Sequence, residues 1–184
     1  MRSRREKTPA RTMKNIFVVF CEGETEEAYL NFIRSTYRSP IKIVPNIQGC
    51  SITNKKIQDA AANERITGNE KITAFAMYDL DNQTINARLL QLSAIHLFSN
   101  PCIELWFLLH TKGQTGYIST KNATDALKNA GSVWASYKKG ILTTTQREYL
   151  RTHQQDAIDR AKSLIENSNP SSTIYRLLEE LSIV

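Results

Sequence analysis

NIFVVFCEGETEEAYLNFI, Asn15 to Ile33, decides how the rest of the chain is read. From Ile16 to Cys21 it is apolar without in–out alternation, the pattern of a strand covered on both faces, as in a parallel sheet. Glu22-Gly23 ends the run. Ala28, Tyr29, Phe32 and Ile33 then recur at helical spacing, an apolar stripe that can pack back on the sheet. Strand, turn and helix in that order make a βα unit. The unit also poses a chemical question, because a strand of buried type delivers Glu22 at its end, with Glu24, Glu26 and Glu27 close behind.

The same alternation continues outward. Ile41–Val44, Ile72–Tyr78 and Ala94–Phe98 read as further strands, and Thr53–Ile66 and Ile85–Leu92 as the helices between them. Pro101 suits the first position of a fourth helix with Asn100 as its N-cap. After His110 the strand pattern fades, and Thr111–Gly116 is a glycine-punctuated loop. From Thr145 to Asn167, Ala157, Ile158, Ala161, Leu164 and Ile165 share one helical face. Asn169-Pro170 ends that segment, and Ser171 or Ser172 can cap a last helix through Leu181. The expected fold is α/β, a largely parallel central sheet flanked by helices. Residues 15–184 form one domain whose C-terminal part, from about residue 117, is a helical extension.

Bulk properties narrow the class. At 184 residues the chain can bury a sizeable core. No apolar run approaches the roughly 18–20 residues of a membrane span, and the basic N-terminus leads into no signal-peptide pattern. Three cysteines, Cys21, Cys50 and Cys102, form no CxxC pair and read as free thiols of a cytoplasmic protein. The net charge of +6 is concentrated at one end. Residues 1–15 hold Arg2, Arg4, Arg5, Lys7, Arg11 and Lys14 against Glu6 alone, so five of the six net charges lie there. Residues 1–14 therefore read as a basic, disordered tail suited to a polyanion, either nucleic acid or a membrane surface, or simply as a solvated terminus.

In open α/β sheets ligands bind beyond the C-terminal ends of the strands. Glu22 follows the first strand, and Asp79-Leu80-Asp81 follows Tyr78 at the end of the third. If the two strands run parallel, Glu22, Asp79 and Asp81 meet at one edge. Converging carboxylates repel unless a cation neutralises them or they share protons. An oxygen-only set suits Mg²⁺ or Mn²⁺ and not zinc. Taken singly, Glu22 could be a favourable acid near a helix N-terminus and Asp79 and Asp81 a turn. Glu26, four residues after Glu22, could add a ligand.

FSNPCIELWFLLH, Phe98 to His110, supplies one more acid. Its helix is apolar nearly all round and hence buried, yet Glu104 sits within it. A buried carboxylate without a partner costs several kcal/mol, on the order of isolated-charge penalties, so Glu104 should face a metal, a basic residue or free helix N–H groups. Ser99 and Asn100 read as caps of that helix. The histidines have no metal-ligand spacing. His96 falls in a strand, His110 near a helix end where positive charge is favoured, and His153 on a polar helix. In Ser132–Lys139, Trp134 and Tyr137 read as core, with stacking on single-stranded nucleic acid the alternative.

A hydrophobic strand ending in Glu-Gly, with a later strand ending in Asp-x-Asp, resembles the Toprim fold of topoisomerases, primases and some nucleases. VVFCEGETEEAYL, MYDLD, FSNPCIELWFLLH and AIDRAKSLIENSNPSSTIYRLLEEL together are similar to the RloB-like family, over nearly the whole chain past the tail. That resemblance implies a Toprim-like domain, a place in prokaryotic defence against phage, and an ATPase partner encoded nearby. It equates Glu22 with the Toprim glutamate and Asp79 and Asp81 with the metal-binding aspartates, and likens Glu26 and Glu104 to acids of a second metal position. The chain departs from topoisomerases and primases in carrying Asn82-Gln83-Thr84 where many have a glycine. The expectation is a nuclease using Mg²⁺ or Mn²⁺ on DNA or RNA. The rivals are a non-catalytic nucleic-acid-binding or regulatory subunit, and a haloacid-dehalogenase-like phosphatase whose Asp-x-Asp-x-Thr motif DLDNQT nearly matches.

Overall fold

The computed structural model describes residues 14–45, 47–64 and 70–183. Its centre is a four-stranded parallel sheet in the order β2-β1-β3-β4, built from β1 (Lys14–Cys21), β2 (Ile41–Val44), β3 (Glu70–Met77) and β4 (Ile95–His96). Helices α1 (Glu24–Tyr37), α2 (Asn54–Asn63) and α3 (Gln83–Leu89) follow β1, β2 and β3 in turn. This α/β architecture is the expected one and is consistent with a Toprim-like arrangement. Arg2, Arg4, Arg5, Lys7 and Arg11 lie outside the described residues, and Lys14 opens β1 opposite Glu70.

The lack of alternation in the first strand has a direct cause. Phe17, Val19 and Cys21 enter one hydrophobic cluster and Val18 and Phe20 the other, so both faces of β1 are covered. Tyr29, Leu30, Phe32 and Ile33 of α1 join the first cluster, while Ile57 of α2 and Leu89 of α3 join the second. β1 and β3 pair in register to their ends, Cys21 opposite Met77. The chain leaves β1 toward β2 on one side and returns to β3 on the other. The crevice between the ends of β1 and β3 is thus the point where strand order reverses.

The remaining elements are α4 (Ile103–Leu109), α5 (Thr120–Lys128), α6 (Thr144–Thr152), α7 (Gln154–Lys162) and α8 (Tyr175–Glu180), with a two-stranded antiparallel ribbon of β5 (Ser99–Asn100) and β6 (Ser171–Ser172). Several boundaries differ from the sequence reading. Asn100 does not cap α4. Cys102 holds that position, while Ser99 and Asn100 pair with Ser172 and Ser171. Neither Ser171 nor Ser172 caps the last helix, which begins at Tyr175. The expected helix from Thr145 to Asn167 breaks at His153 into α6 and α7. α2 ends at Asn63, and the remainder of the expected Thr53–Ile66 helix runs into 65–69, outside the described residues.

His110 also differs from expectation. It is buried and its Nδ1–H donates to the Trp106 carbonyl at 2.8 Å, and burial pushes its pKa down to about 3, so it packs as a neutral ring. Trp134 and Tyr137 are core residues: Trp134 stacks on Phe107 with centroids 5.8 Å apart. The three cysteines are free, with Cys21 and Cys102 buried. No helix among the described residues is long and apolar enough to cross a membrane.

Candidate functional site

The strand-end carboxylates lie along one edge of the sheet. A cleft of about 410 Å³ at the C-terminal edge of the sheet is lined by Glu22, Glu26, Asp79, Asp81 and Glu104, the acids singled out in the sequence, and by Glu24. Against six carboxylates stands one basic side chain, Lys139.

Each acid is placed by its own element. Glu22 leaves the end of β1 exposed to solvent, and its Oε2 accepts from the Gly49 N–H at 3.1 Å. The loop carrying Gly49 is tied to the strand ends, because the Ile47 N–H donates to the Cys21 carbonyl and the Tyr78 hydroxyl donates to the Ile47 carbonyl. Glu26 lies in the first turn of α1 and is 93% buried, its carboxylate folded over Gly23. A Cβ on residue 23 would lie 2.5 Å from Glu26 Oε2, so glycine is what lets that carboxylate sit there. Asp79 is fixed by its neighbours: the Leu80 N–H donates to the Ser99 carbonyl and the Ser99 N–H to the Tyr78 carbonyl. Asp81 is exposed, just before Asn82, whose side chain caps α3 by accepting from the Thr84 N–H.

Glu104 is fully buried in the first turn of α4. Its Oε1 accepts from the Tyr137 hydroxyl at 2.9 Å and faces Lys139 Nζ at 3.5 Å, so a basic residue is indeed its neighbour. Its Oε2 is buried with no hydrogen-bond partner. Lys139 reaches the cleft from a β-turn, Lys138 to Ile141, in which Gly140 adopts a φ of +77°. The Gly140 N–H donates to Thr25 Oγ1 at 2.9 Å, which docks the turn onto the start of α1. The sequence reading set Lys139 beside Trp134 and Tyr137 without linking either Lys139 or the Tyr137 hydroxyl to Glu104.

The electrostatics follow from this crowding. Burial holds the Asp79 carboxyl well above the usual carboxylate range, and the charges of Glu26, Glu104 and Asp81 push it further. Glu26 is raised by burial and then by Glu104 and Glu22. Burial works to lower the Lys139 pKa, but Glu104 and Asp79 outweigh it and the ammonium is held charged. Burial together with Glu104 keeps the Tyr137 hydroxyl protonated, as a donor must be.

The donor set suits a hard divalent cation in three respects: it is all oxygen, strongly negative, and includes one buried carboxylate oxygen with no partner. The side chains stand around the cleft and do not close on one point. Among the described residues no three His, Cys, Asp or Glu side chains form a ready ligand cluster.

The model of the RloB-like protein family matches residues 17–181, and the chain belongs to that family. No curated protein and no solved structure matches it.

Proposed function

We propose that this member of the RloB-like family is a nuclease that hydrolyses phosphodiesters of nucleic acid with Mg²⁺ or Mn²⁺, in defence against phage. The observation that carries this reading is the cleft at the strand-order reversal, with six carboxylates and one ammonium. So negative a cleft repels a phosphodiester on its own. A divalent cation makes it a place where phosphate can bind. The phosphatase alternative is disfavoured by its motif instead, because Gln83 stands where the threonine should be and Thr84 comes one residue late.

Asp79 and Asp81 would hold the metal, with Glu22 either a further ligand or the general acid/base, and Glu26 and Glu104 at a second position. When bound, the metal supplies Lewis-acid polarisation of the phosphate and activation of water. The chain's own groups do the rest. Glu22 has one oxygen engaged by the Gly49 N–H and stands in solvent, so it can carry a proton to or from the reacting oxygens. The Tyr137 hydroxyl and Lys139 orient Glu104. Lys139 also puts a positive charge beside the acids, where it can meet a phosphate oxygen. The basic residues Arg2, Arg4, Arg5, Lys7, Arg11 and Lys14 would add salt-sensitive affinity for the backbone.

The test is cleavage of plasmid DNA, single-stranded DNA and bulk tRNA with Mg²⁺, Mn²⁺ or EDTA, with Asp79→Asn protein purified in parallel. Metal-dependent cutting that disappears in the variant supports the proposal and names the substrate. Equal behaviour of the two proteins, alone and with an ATPase encoded beside the gene, sinks it in favour of a binding or regulatory subunit.

A further inference from the structure

A second cavity, about 590 Å³, lies on the other side of α3 from the acidic cleft. Ile85 and Leu89 of that helix line the cleft, Gln83 and Asn86 line the cavity, and Asp81 lines both. Its chemistry is different. Apart from Asp81 the walls carry no acid, and they are rich in carboxamides, among them Gln83, Asn86 and Asn100. Asn86 donates through Nδ2 to the Leu80 carbonyl at 3.1 Å, which leaves its Oδ1 buried and unpaired. Asn100 donates through Nδ2 to the Asn167 carbonyl at 3.2 Å, so its Oδ1 can still accept. Asn167 itself holds a left-handed φ of +62° at the rim.

Two further side chains complete the cavity. Tyr117 is 80% exposed, although the next residue, Ile118, is buried. The backbone beneath it is fastened: the Ile118 N–H donates to Asn169 Oδ1 at 3.0 Å and Asn169 Nδ2 donates to the Ile118 carbonyl at 2.9 Å. The backbone that carries the ring is therefore ordered before any ligand arrives, and only the side-chain torsions of Tyr117 remain to be fixed on stacking. Lys121, in the first turn of α5, adds an exposed cation.

We propose that this cavity is a subsite for an unpaired nucleotide flanking the scissile phosphate, so that the substrate is single-stranded or locally unpaired nucleic acid. The inference rests on the nuclease reading for the reacting phosphate, but its binding claim stands apart from catalysis. The exposed Gln83 carboxamide offers donor and acceptor together, and Asn100 Oδ1 adds an acceptor, which suits the Watson–Crick edge of a base. Tyr117 offers a face to the ring, and Lys121 a charge to the phosphate. A base inside a duplex cannot reach these groups without leaving its stack. The shared wall at Asp81 puts the base pocket next to the acidic cleft.

The experiment measures binding, not cutting. Fluorescence anisotropy with Ca²⁺ compares short labelled DNA and RNA oligonucleotides with blunt duplexes of the same length, for the wild-type chain, Tyr117→Ala, Tyr117→Phe and Lys121→Gln. The single strands should bind tighter than the duplexes. Tyr117→Ala should weaken single-strand binding by about five-fold to a hundredfold, the range for loss of one stacked base. Tyr117→Phe, which keeps the ring, should stay near wild type. Lys121→Gln should flatten the salt dependence by about one phosphate contact. The DNA and RNA arms show which sugar the site accepts. Equal affinity for duplex and single strand, wild-type binding by Tyr117→Ala, or no binding of any oligonucleotide would overturn the proposal. Strand preference and loss in Tyr117→Ala, in a protein that cuts nothing with Mg²⁺ or Mn²⁺, would sustain the subsite while the nuclease reading fell.

Discussion

Replacing Lys139 by methionine tests whether the acidic cleft is a cation site. The ammonium lies 3.5 Å from Glu104 Oε1, and its side chain is 61% exposed where that of Glu104 is fully buried. At that separation the attraction is about 1 kcal/mol in water and about 5 kcal/mol at an effective dielectric near 20. Solvent screening on the lysine side places the loss near the lower end, ~1–2 kcal/mol, short of the ~3–5 kcal/mol seen when a fully buried pair is broken. The Tyr137 hydroxyl remains on Glu104 and limits the damage. For a chain of this size that is a fall in Tm of about 2–8 °C in EDTA at low salt. The second half of the prediction is sharper. Removing the one ammonium of the cleft lining deepens its negative potential, so Mn²⁺ or Mg²⁺ should raise the Tm of Lys139→Met more than that of the wild type, with a lower half-saturating concentration. Thermal melts across a divalent titration read both quantities. Unchanged Tm in EDTA, together with an equal or smaller divalent shift in the variant, would refute the reasoning.

Three further substitutions probe the same construction. Asp79→Asn should flatten the pH dependence of the metal-free protein: a carboxyl held above its unfolded pKa favours folding at low pH and loses that contribution as pH rises through the folded value, so wild type should lose more Tm than the variant as pH is raised above the ordinary carboxylate range in EDTA. Gly140→Ala should cost ~1–3 kcal/mol in urea unfolding, because the residue sits at φ +77° and a Cβ would lie 2.9 Å from Glu24 Oε2 and 3.1 Å from Glu24 Cβ; the lesion should also displace Lys139 and enlarge the divalent Tm shift. Trp134→Ala should cost ~3–5 kcal/mol by the same assay, since the ring is wholly buried against Phe107; a stable variant with weakened nucleic-acid binding would instead make Trp134 a binding residue.

What the sequence made legible was whatever depends on strand ends. Glu22 and Asp79 could be placed because an unalternating apolar run ends at each, and in-register parallel strands bring such ends to one edge. The two-residue strands at Ser99 and Ser171 are too short for any periodicity to announce. Their pairing joins segments some seventy residues apart, and each serine alone reads as a cap. The break at His153 is equally silent, with no proline or glycine beside it and the apolar spacing running on through α7. His110 misled for a related reason: its place at a helix end favours charge, but complete burial outweighs so small a term.

The acids and their counter-charge differ in legibility for a physical reason. Carboxylates beyond strand ends are fixed by local geometry, so a motif carries them. Lys139 reaches Glu104 only because Gly140 turns the chain, the turn docks on Thr25, and Trp134 and Tyr137 are anchored in the core beside α4. Each of those contacts is long-range. The cavity behind α3 is an extreme case, assembled from one face of α3, the start of α5, the end of β5 and the loops beside them, whose asparagines, serine and proline separately spell turns and caps. A binding site made of turn-forming residues has no sequence signature of its own, since the residues that shape the backbone there are also those that would face a base. That is why the acids beyond the strand ends could be read from the sequence, while the cavity that Tyr117 borders becomes visible only when distant segments are brought together.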